Sequence, residues 1–191
     1  MPKVIALILA AGRGKRFGSD KRIACLADGR TLLAASFERA QQVFDEVYLL
    51  LRPEDDVRAL GLPENCRVIH CVEADQGMGH SLAAGIRALS ALDAEAIAVL
   101  LGDMPWIATD SLQQLCTRVA AESIVYPVHQ GLRGHPVLFG RMFWPPLQAV
   151  QGDEGARALL QASTEACHGI DLDDPGVLLD VDRPEALLSQ H

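Results

Sequence analysis

The sequence contains no apolar run that approaches the roughly 20 residues of a membrane-spanning helix, so we expect no membrane partner. Its first apolar stretch, residues 4–11, is only as long as a strand and leads into glycine and cations, which argues against a signal peptide. The five cysteines are scattered and include no Cys-x-x-Cys pair, which argues against a disulfide framework and against a zinc site. We therefore expect a cytoplasmic protein whose thiols are reduced and mostly buried.

The chain also lacks repeats, low-complexity segments and an evident linker. Its 191 residues, of which 49% are hydrophobic, are enough to bury a sizeable core, and we expect one domain over residues 1–191. An excess of positive charge is absent too, because the net charge of −8 argues against a nucleic-acid partner. The basic residues are nevertheless concentrated: residues 13–30 hold six of the 17 and only two acidic residues. A local basic site on an acidic protein suits a small anionic ligand.

Short apolar runs alternate with segments of helical periodicity along the chain. The pattern predicts strands at 4–9, 47–51, 68–72, 96–101, 124–128, 136–139 and 177–181. It predicts helices at 31–44, 81–92, 109–121, 153–162 and 184–188, the third capped by Thr109 or Asp110. This alternation indicates an α/β fold with a mostly parallel sheet and helices on both faces. Ligands of such sheets bind beyond the carboxyl ends of the strands.

Residues 7–21 are the most informative segment, because an apolar strand runs directly into a loop of glycines and cations. The spacing of Gly12, Gly14 and Gly18 fits neither a P-loop nor a dinucleotide fingerprint. Glycines allow a backbone to approach a ligand closely, and cations neutralise phosphate. We interpret the segment as a polyphosphate-binding loop rather than an exposed turn with solvated cations. Its cations are Arg13, Lys15, Arg16 and Lys21.

Three aspartates could form a divalent metal site at the same edge of the sheet. Asp103 follows a strand that reads as buried on both faces, and Mg²⁺ takes carboxylate oxygens together with substrate phosphates. Asp180 and Asp182 alternate along the last predicted strand, so both could point to one site. The alternatives are that Asp103 caps a turn or pairs with a cation, and that Asp182 caps the helix beginning near Pro184.

Two further segments are weaker candidates for binding. Gly77 to Ser81 opens an amphipathic helix whose free N–H groups could approach a base or a phosphate, although Ser81 could instead be a structural N-cap. Arg133 and His135 could contact a second substrate, although a lone histidine is more often structural.

These segments together resemble the nucleotidyltransferases of the molybdenum-cofactor branch, over essentially the whole chain and in the same order. Two of the motifs are shared with sugar-1-phosphate nucleotidyltransferases, whereas Arg-Gly-His-Pro and Gly-Asp-Glu-Gly-Ala-Arg resemble the molybdenum cofactor cytidylyltransferase type. The matching motifs are Leu9-Ala10-Ala11-Gly12-x-Gly14-x-Arg16-Phe17-Gly18-x-x-Lys21, Gly77-x-x-x-Ser81, Gly102-Asp103-Met104-Pro105, Arg133-Gly134-His135-Pro136, Gly152-Asp153-Glu154-Gly155-Ala156-Arg157 and Asp180-x-Asp182-x-Pro184-Glu185.

The resemblance implies a three-layer α/β/α, Rossmann-like fold of the nucleotide-diphospho-sugar transferase type. It implies transfer of CMP from CTP to the phosphate of molybdopterin cofactor, with release of pyrophosphate and with Mg²⁺ as cofactor. Ala11 is similar to the cytidylyl enzymes, whereas the guanylyl enzymes usually have a second glycine there. Implied catalytic residues are Arg16, Lys21 and Asp103, and implied metal ligands are Asp103, Asp182 and Asp180. Implied nucleotide contacts are Leu9, Ala10, Ala11, Gly12, Gly14, Gly18, Lys21, Gly77 and Ser81, with Arg133 and His135 on the acceptor.

Other functions remain open at this point. The chain could use GTP on molybdopterin, or act on a sugar or alditol phosphate. It could instead be a carrier or maturation partner that delivers the molybdenum cofactor to a molybdoenzyme client. The joint presence of Lys21, Asp103 and the Asp180/Asp182 pair favours an enzyme over a pure carrier.

Overall fold

The computed structural model describes residues 2–13 and 17–182. Within these residues one eight-stranded sheet forms the centre of the molecule. Its strands are β1 (Val4–Leu9), β2 (Val47–Leu51), β3 (Arg67–His70), β4 (Ala96–Leu101), β5 (Ile124–His129), β6 (Leu132–Arg133), β7 (Val137–Gly140) and β8 (Cys167–Asp171). The α-helices are α1 (Leu32–Gln41), α2 (Met78–Leu89), α3 (Thr109–Arg118), α4 (Trp144–Leu147) and α5 (Arg157–Ala162).

The sheet has a parallel part and a mixed part. Its order is β3-β2-β1-β4-β7-β5-β6, with β8 added beside β5. Neighbours among β3, β2, β1 and β4 are parallel, whereas β7 is antiparallel to both β4 and β5. Strand β8 is again parallel to β5. The expected mostly parallel α/β sheet is confirmed, and the antiparallel insertion of β7 is an addition to it.

Each face of the sheet carries its own hydrophobic core. In β1, Ala6 and Ile8 pack with α1 and α3 on one face, while Ile5 and Leu7 pack with α2 and α4 on the other. All four side chains are fully buried, as expected for the central strand of a sheet covered on both sides. The strand register brings Leu9 opposite Leu101, so the loops after β1 and β4 start at the same edge.

Two predicted helix starts are wrong. The second helix begins at Met78 rather than Ser81, so Ser81 lies inside it and is not its N-cap. Gly77 takes that position with a φ of 116°, a left-handed backbone that suits glycine. The third helix has Ala108 rather than Thr109 or Asp110 at its N-cap, and the Ala108 N–H donates to Asp174 Oδ2 at 2.9 Å. A residue distant in sequence therefore supplies the capping oxygen.

The predicted strand at 177–181 is also wrong. Residues Pro175–Leu178 form a short 3-10 helix, because Asp174 accepts a hydrogen bond from the Gly176 N–H and closes the turn. The apolar residues that suggested a strand are there for burial, since Val177 and Val181 are 0% exposed. Conversely β8 was not predicted, because its half-exposed sequence carries little apolar pattern. The helix predicted at 184–188 lies outside the described residues.

The start of α5 and the burial of the cysteine thiols also differ from expectation. The helix predicted at 153–162 begins only at Arg157. Cys71 and Cys116 are buried, but Cys25 is exposed and two others are intermediate, so the thiols are not mostly buried. None of the described helices is long and apolar enough to cross a membrane.

A substitution at Gly140 tests how closely β7 packs beneath the loop that follows α3. A Cβ at this position would overlap the carbonyl oxygens of Ala120 and Ala121, which are backbone atoms that cannot swing aside. We expect Gly140→Ala to lower the free energy of unfolding by about 1–3 kcal/mol through overpacking. Urea denaturation followed by circular dichroism measures it. Gly12→Ala is the control, because a Cβ at Gly12 meets no atom within 4 Å; equal stability of the two variants would contradict the packing argument.

Candidate active site

A cleft of about 340 Å³ opens where the loops after β1 and β4 meet the start of α2. Its size is within the usual range of small-molecule sites. The location agrees with the rule that ligands of α/β sheets bind beyond the carboxyl ends of the strands. Most of the predicted nucleotide-contacting residues line it, namely Leu9, Ala10, Ala11, Gly12, Lys21, Gly77 and Ser81, together with Asp103.

The glycine-rich loop continues β1 into this cleft. Ala10 and Ala11 are 5% and 3% exposed, and the Ala10 N–H donates to Leu50 O at 3.0 Å, which extends the sheet by one residue. Gly12 is exposed, and the loop returns at Gly18, whose φ of 80° requires glycine. Three loop residues with predicted roles or charge lie outside the described residues: Gly14, Lys15 and Arg16.

A buried ion-pair network fixes the far end of this loop. The Arg22 side chain is 5% exposed and donates to Asp55 at 2.6 and 2.8 Å, and to Asp20 at 2.7 and 2.8 Å. It also donates to Ala10 O at 2.8 Å and so ties the two ends of the loop together. Burial lowers the pKa of Arg22, but the hydrogen bonds to Asp20 and Asp55 outweigh it, so the net pKa is raised and the cation persists.

Arg22 is one of the six basic residues within residues 13–30, but the sequence did not indicate that it would hold the two ends of the loop together. Burial raises the pKa of Asp55, yet the hydrogen bonds and charges of Arg22 and Arg52 outweigh it and the pKa is lowered overall. The signal in the sequence was weak, because Asp55 is one of many acidic residues and lies 33 positions from Arg22.

Next to Arg22, Lys21 points into a cluster of carboxylates. Its Nζ lies 2.5 Å from Asp103 Oδ2 and 3.6 Å from Asp182 Oδ1. Asp103, Asp180 and Asp182 each offer one oxygen, and these three oxygens lie within 4.8 Å of one another. The structure thus brings together the lysine and all three predicted metal ligands, although the segment carrying Asp180 and Asp182 is not a strand. The Val181 N–H holds that segment in place by donating to Asp103 O at 3.1 Å.

The chemistry of this donor set fits a hard divalent cation. Three carboxylate oxygens within this spacing can share one ion, and Mg²⁺ or Mn²⁺ takes such oxygen ligands. Partial burial and the charges of Asp182 and Asp103 raise the pKa of Asp180, which shows that like charges crowd here. Lys21 supplies one compensating positive charge, and a divalent cation would supply more.

The start of α2 forms the opposite wall of the cleft. A Cβ at Gly77 would lie 2.5 Å from Asp153 Oδ1 and 2.6 Å from Gly152 O, so a glycine is required by close packing as well as by φ. The Gly79 N–H donates to Gly152 O at 2.7 Å, and the Gly152 N–H donates to His80 Nδ1 at 3.2 Å. The 151–153 loop is therefore clamped onto the helix start, and Ser81 lines the cleft from inside the helix.

An ion pair that the sequence did not predict spans the mouth of the cleft. Arg13 donates to the two carboxylate oxygens of Asp75 at 2.5 and 2.6 Å, and both residues line the cleft. Glu54 lies 3.7 Å from the same guanidinium. Arg13, a cation of the glycine-rich loop, is thus held by the segment before α2.

The predicted acceptor residues are divided between two places. Burial lowers the pKa of the His135 imidazole, and His135 is within range of the charges of Asp103, Arg133 and Asp180. The guanidinium of Arg133 instead lies over the ring of Tyr126, with its Cζ 5.5 Å from the ring centroid, and Arg133 does not line the cleft. Gly134 lies between them because a Cβ there would overlap the carbonyl oxygen of Val177.

Comparison with known proteins agrees with this geometry. A family model described as a MobA-like NTP transferase domain matches residues 6–167. The chain is 30% identical over 194 residues to the purine catabolism protein PucB of Bacillus subtilis, covering 96% of this chain and 94% of PucB. It is 25% identical over 192 residues to the molybdenum cofactor cytidylyltransferase of Escherichia coli, covering 99% of this chain and 96% of that enzyme.

A solved structure has the same fold. Rv0371c from Mycobacterium tuberculosis superposes with a TM-score of 0.82 at 28% identity, over 99% of this chain and 98% of that one. The same protein is also known in complex with manganese, with a TM-score of 0.80 at 25% identity over 98% of this chain and 100% of that one. The predicted nucleotide-diphospho-sugar transferase type of fold is confirmed by these similarities.

The Arg22–Asp55 pair gives a pH-dependent prediction. Because the pKa of Asp55 is lower in the folded than in the unfolded protein, its contribution to stability is present above the unfolded value of about 3.9 and is lost as the pH falls further. We expect Asp55→Ala to lower the free energy of unfolding by about 3–5 kcal/mol at pH 7, and the deficit to shrink below about pH 4. Denaturation measured between pH 3 and pH 7 checks both.

The control for this experiment is Asp45→Ala, since Asp45 is exposed and its carboxylate forms no hydrogen bond or ion pair with a described residue. It should change stability by no more than about 0.5 kcal/mol at either pH. A deficit for Asp55→Ala that stays constant down to pH 3 would contradict the ion-pair explanation.

Proposed function

The chain belongs to the MobA-like NTP transferase domain family, and from this premise we propose that it transfers CMP from CTP to the phosphate of molybdopterin, releasing pyrophosphate. Members of this family are nucleotidyltransferases that use divalent metals. The observation that carries the proposal is Lys21 between Asp103 and Asp182, directly beside the cleft formed by the glycine-rich loop. A cation and clustered carboxylates at a nucleotide-sized cleft suit polyphosphate chemistry.

The choice of CTP and molybdopterin has narrower support. A relative named as a molybdenum cofactor cytidylyltransferase aligns over 99% of this chain. Ala11 is 3% exposed in the wall of the cleft, so its methyl group removes space that a glycine would leave open. The relative PucB, which is 30% identical, is named for purine catabolism, and this name points to neither CTP nor molybdopterin. Use of GTP, or of a different phosphate acceptor, is therefore the second candidate.

In the proposed reaction, the acceptor phosphate is already a nucleophile, so no serine or cysteine nucleophile is needed. One acceptor oxygen forms a bond to the α-phosphorus of CTP as the bond from that phosphorus to the bridging oxygen breaks. Pyrophosphate leaves with the electron pair of the broken bond. The barrier comes from bringing two anions together and from the charge that develops at the α-phosphate, so positioning and electrostatics supply the catalysis.

The residues divide this work between them. Lys21 and the loop N–H groups would hold the triphosphate, and we propose the same for Arg16. Asp103, with Asp180 or Asp182, would hold Mg²⁺, which when bound would neutralise phosphate charge and help the leaving group depart. His135, within range of the charges of Asp103 and Asp180, would contact the incoming acceptor. The start of α2, with Gly77 and Ser81, would contact the nucleotide from the opposite wall.

The deciding experiment combines the purified chain and Mg²⁺ with CTP, GTP, ATP or UTP in turn, and with molybdopterin or a sugar phosphate. Pyrophosphate is measured continuously and the product is identified by its mass. We expect pyrophosphate only with CTP and molybdopterin together, with the cytosine dinucleotide as product. Turnover confined to GTP or to a sugar phosphate would replace the proposal with that alternative. Stoichiometric cofactor binding without pyrophosphate would indicate a carrier.

Lys21 provides the first mutational test. Removal of one oriented donor to a developing oxyanion typically costs about 3–4 kcal/mol, so Lys21→Ala should lose roughly a hundredfold or more in kcat while remaining folded. Steady-state pyrophosphate release measures the loss, and circular dichroism checks the fold. Lys3→Ala is the control, because Lys3 is exposed and its ion pair with Glu46 lies away from the cleft. A Lys21 variant as active as the Lys3 variant would refute the role.

Asp103 provides the second test. Asp103→Asn removes a charge from the proposed metal site with little change in shape, so we expect activity to fall at least a hundredfold and the Mg²⁺ concentration for half-activation to rise. Titration of activity with Mg²⁺ and with Mn²⁺ measures both effects. The matched control is Asp173→Asn, an exposed aspartate outside the cluster. An unchanged Mg²⁺ requirement in Asp103→Asn would move the metal to other ligands.

A further inference from the structure

A second cavity, of about 390 Å³, lies beside α5 on the flank formed by β5 and β8. We call it the arginine cavity, because Arg133 and Arg157 line it and none of the described residues around it is acidic. Neither arginine forms an ion pair with a described residue. The other lining residues are Tyr126, Leu160, Gln161, Thr164 and Cys167.

A minority of the described basic residues, including Arg39, Arg118 and Arg141, likewise form no ion pair with a described residue, but only Arg133 and Arg157 among the described basic residues line this cavity. Acidic residues outnumber basic ones by 25 to 17, and most basic side chains of the described residues have a carboxylate partner. Such partners occur on both sides of the molecule, as for Arg30 with Asp28 and Arg67 with Glu46. Two arginines that share one concave surface without any carboxylate leave a local positive potential, which favours an anionic ligand.

The arginine cavity is also partly organised for a ligand. The guanidinium of Arg133 is held over the ring of Tyr126, which limits its motion and leaves its N–H groups available. Gln161 and Thr164 add neutral hydrogen-bonding groups, and Leu160 and Cys167 provide an apolar wall. Planar guanidinium groups bind the oxygens of phosphates, carboxylates and other oxyanions in a bidentate manner.

Both arginines belong to segments that also build the proposed transfer site. Arg133 is two residues from His135, and its charge acts on His135 together with those of Asp103 and Asp180. The charge of Arg133 also acts on Cys167, inside the arginine cavity. Arg157 opens α5 directly after the 151–155 loop, whose Gly152 carbonyl accepts from the Gly79 N–H at the start of α2. Two short segments of the chain, residues 133–135 and 151–157, therefore connect the proposed transfer site with the arginine cavity.

We propose that the arginine cavity binds a second anionic group of the acceptor, remote from the phosphate that receives CMP. The acceptor is then a phosphate ester with negative charge at two ends, one beside His135 and the other between Arg133 and Arg157. This inference rests on the proposed function, which supplies the acceptor. It assigns Arg157, Gln161 and Thr164 to acceptor binding, and it makes the cavity a determinant of which phosphate esters are used.

The kinetic test uses Arg133→Gln and Arg157→Gln with molybdopterin as acceptor. Each variant should raise the KM for molybdopterin at least tenfold, while kcat and the KM for CTP change less than twofold, because the lost contacts are remote from the reacting atoms. Arg118→Gln is the control, since Arg118 is an exposed arginine on α3 that does not line the cavity. Unchanged KM values for molybdopterin in both variants would overturn the proposal.

A second test measures the electrostatic potential in the arginine cavity and does not depend on catalysis. Cys167 is alkylated with iodoacetate, which is anionic, or with iodoacetamide, which is neutral, and the two rates are obtained by peptide mass spectrometry. Their ratio reports the local potential independently of the reactivity of the thiol. We expect the ratio at Cys167 to fall at least threefold in Arg133→Gln and Arg157→Gln but not in Arg118→Gln. Molybdopterin should slow both reactions at Cys167, whereas CTP should not.

The two tests separate the two proposals. Transfer of CMP to molybdopterin with unchanged KM in the arginine variants contradicts the cavity assignment alone. Absence of transfer with any nucleotide, combined with the expected alkylation ratios, contradicts the proposed function and leaves an anion-binding cavity. A ratio at Cys167 that does not change in either arginine variant contradicts the positive potential on which the inference depends.

Discussion

The buried ion pair between Arg22 and Asp55 is the interaction on which the geometry of the candidate site depends. It joins the end of the glycine-rich loop to the segment after β2, and the same guanidinium holds the start of the loop through Ala10 O. Lys21, the adjacent residue, is thereby directed at Asp103. A buried charge is costly unless it is fully paired, so the network tolerates few other arrangements of the loop. One side of the glycine-rich loop thus faces the cleft, and the other side is held by the Arg22 ion pair.

The cations that line the cleft in the described part of the chain are themselves paired with carboxylates. Arg13 lies on Asp75 at the mouth, and Lys21 lies on Asp103 at the carboxylate cluster. A triphosphate that enters would therefore exchange one set of anionic oxygens for another, rather than neutralise bare cations. Because each cation exchanges one anionic partner for another, the net binding free energy gained per contact is modest. Such a site favours ligands that present several oxygens at the correct spacing. For the proposed function, this arrangement would favour a polyphosphate over a single phosphate.

Periodicity and turn chemistry were sufficient to predict the parallel half of the sheet, because β1, β2 and β4 are continuous apolar runs and β3 has an apolar centre at Val68 and Ile69. These two signals failed where contacts between distant segments determine the local structure. Asp174 caps the short helix that follows it and also accepts from the Ala108 N–H, 66 positions earlier, and the apolar residues at 177–181 are buried without forming a strand. The candidate site followed from residue types near strand ends, and the structure brings Lys21 and Asp103 together. The pairing of Arg22 with Asp55 could not be predicted, because the two residues are 33 positions apart and Asp55 belongs to no recognisable motif. Arg133 and Arg157 do belong to recognised motifs, but nothing in the sequence indicates that the two motifs line one cavity.

The order of the strands has a consequence for how the site is assembled. Strand β1 pairs with β4, so residues 4–9 meet partners more than 90 positions later in the chain. Asp103 then binds the Val181 N–H, which brings in a segment almost 80 positions further on. Contacts of such long sequence separation form late in folding. During synthesis the glycine-rich loop would leave the ribosome first, yet the acidic cluster opposite it could form only after residue 182, so the nascent chain would be unable to bind its ligands for most of its elongation.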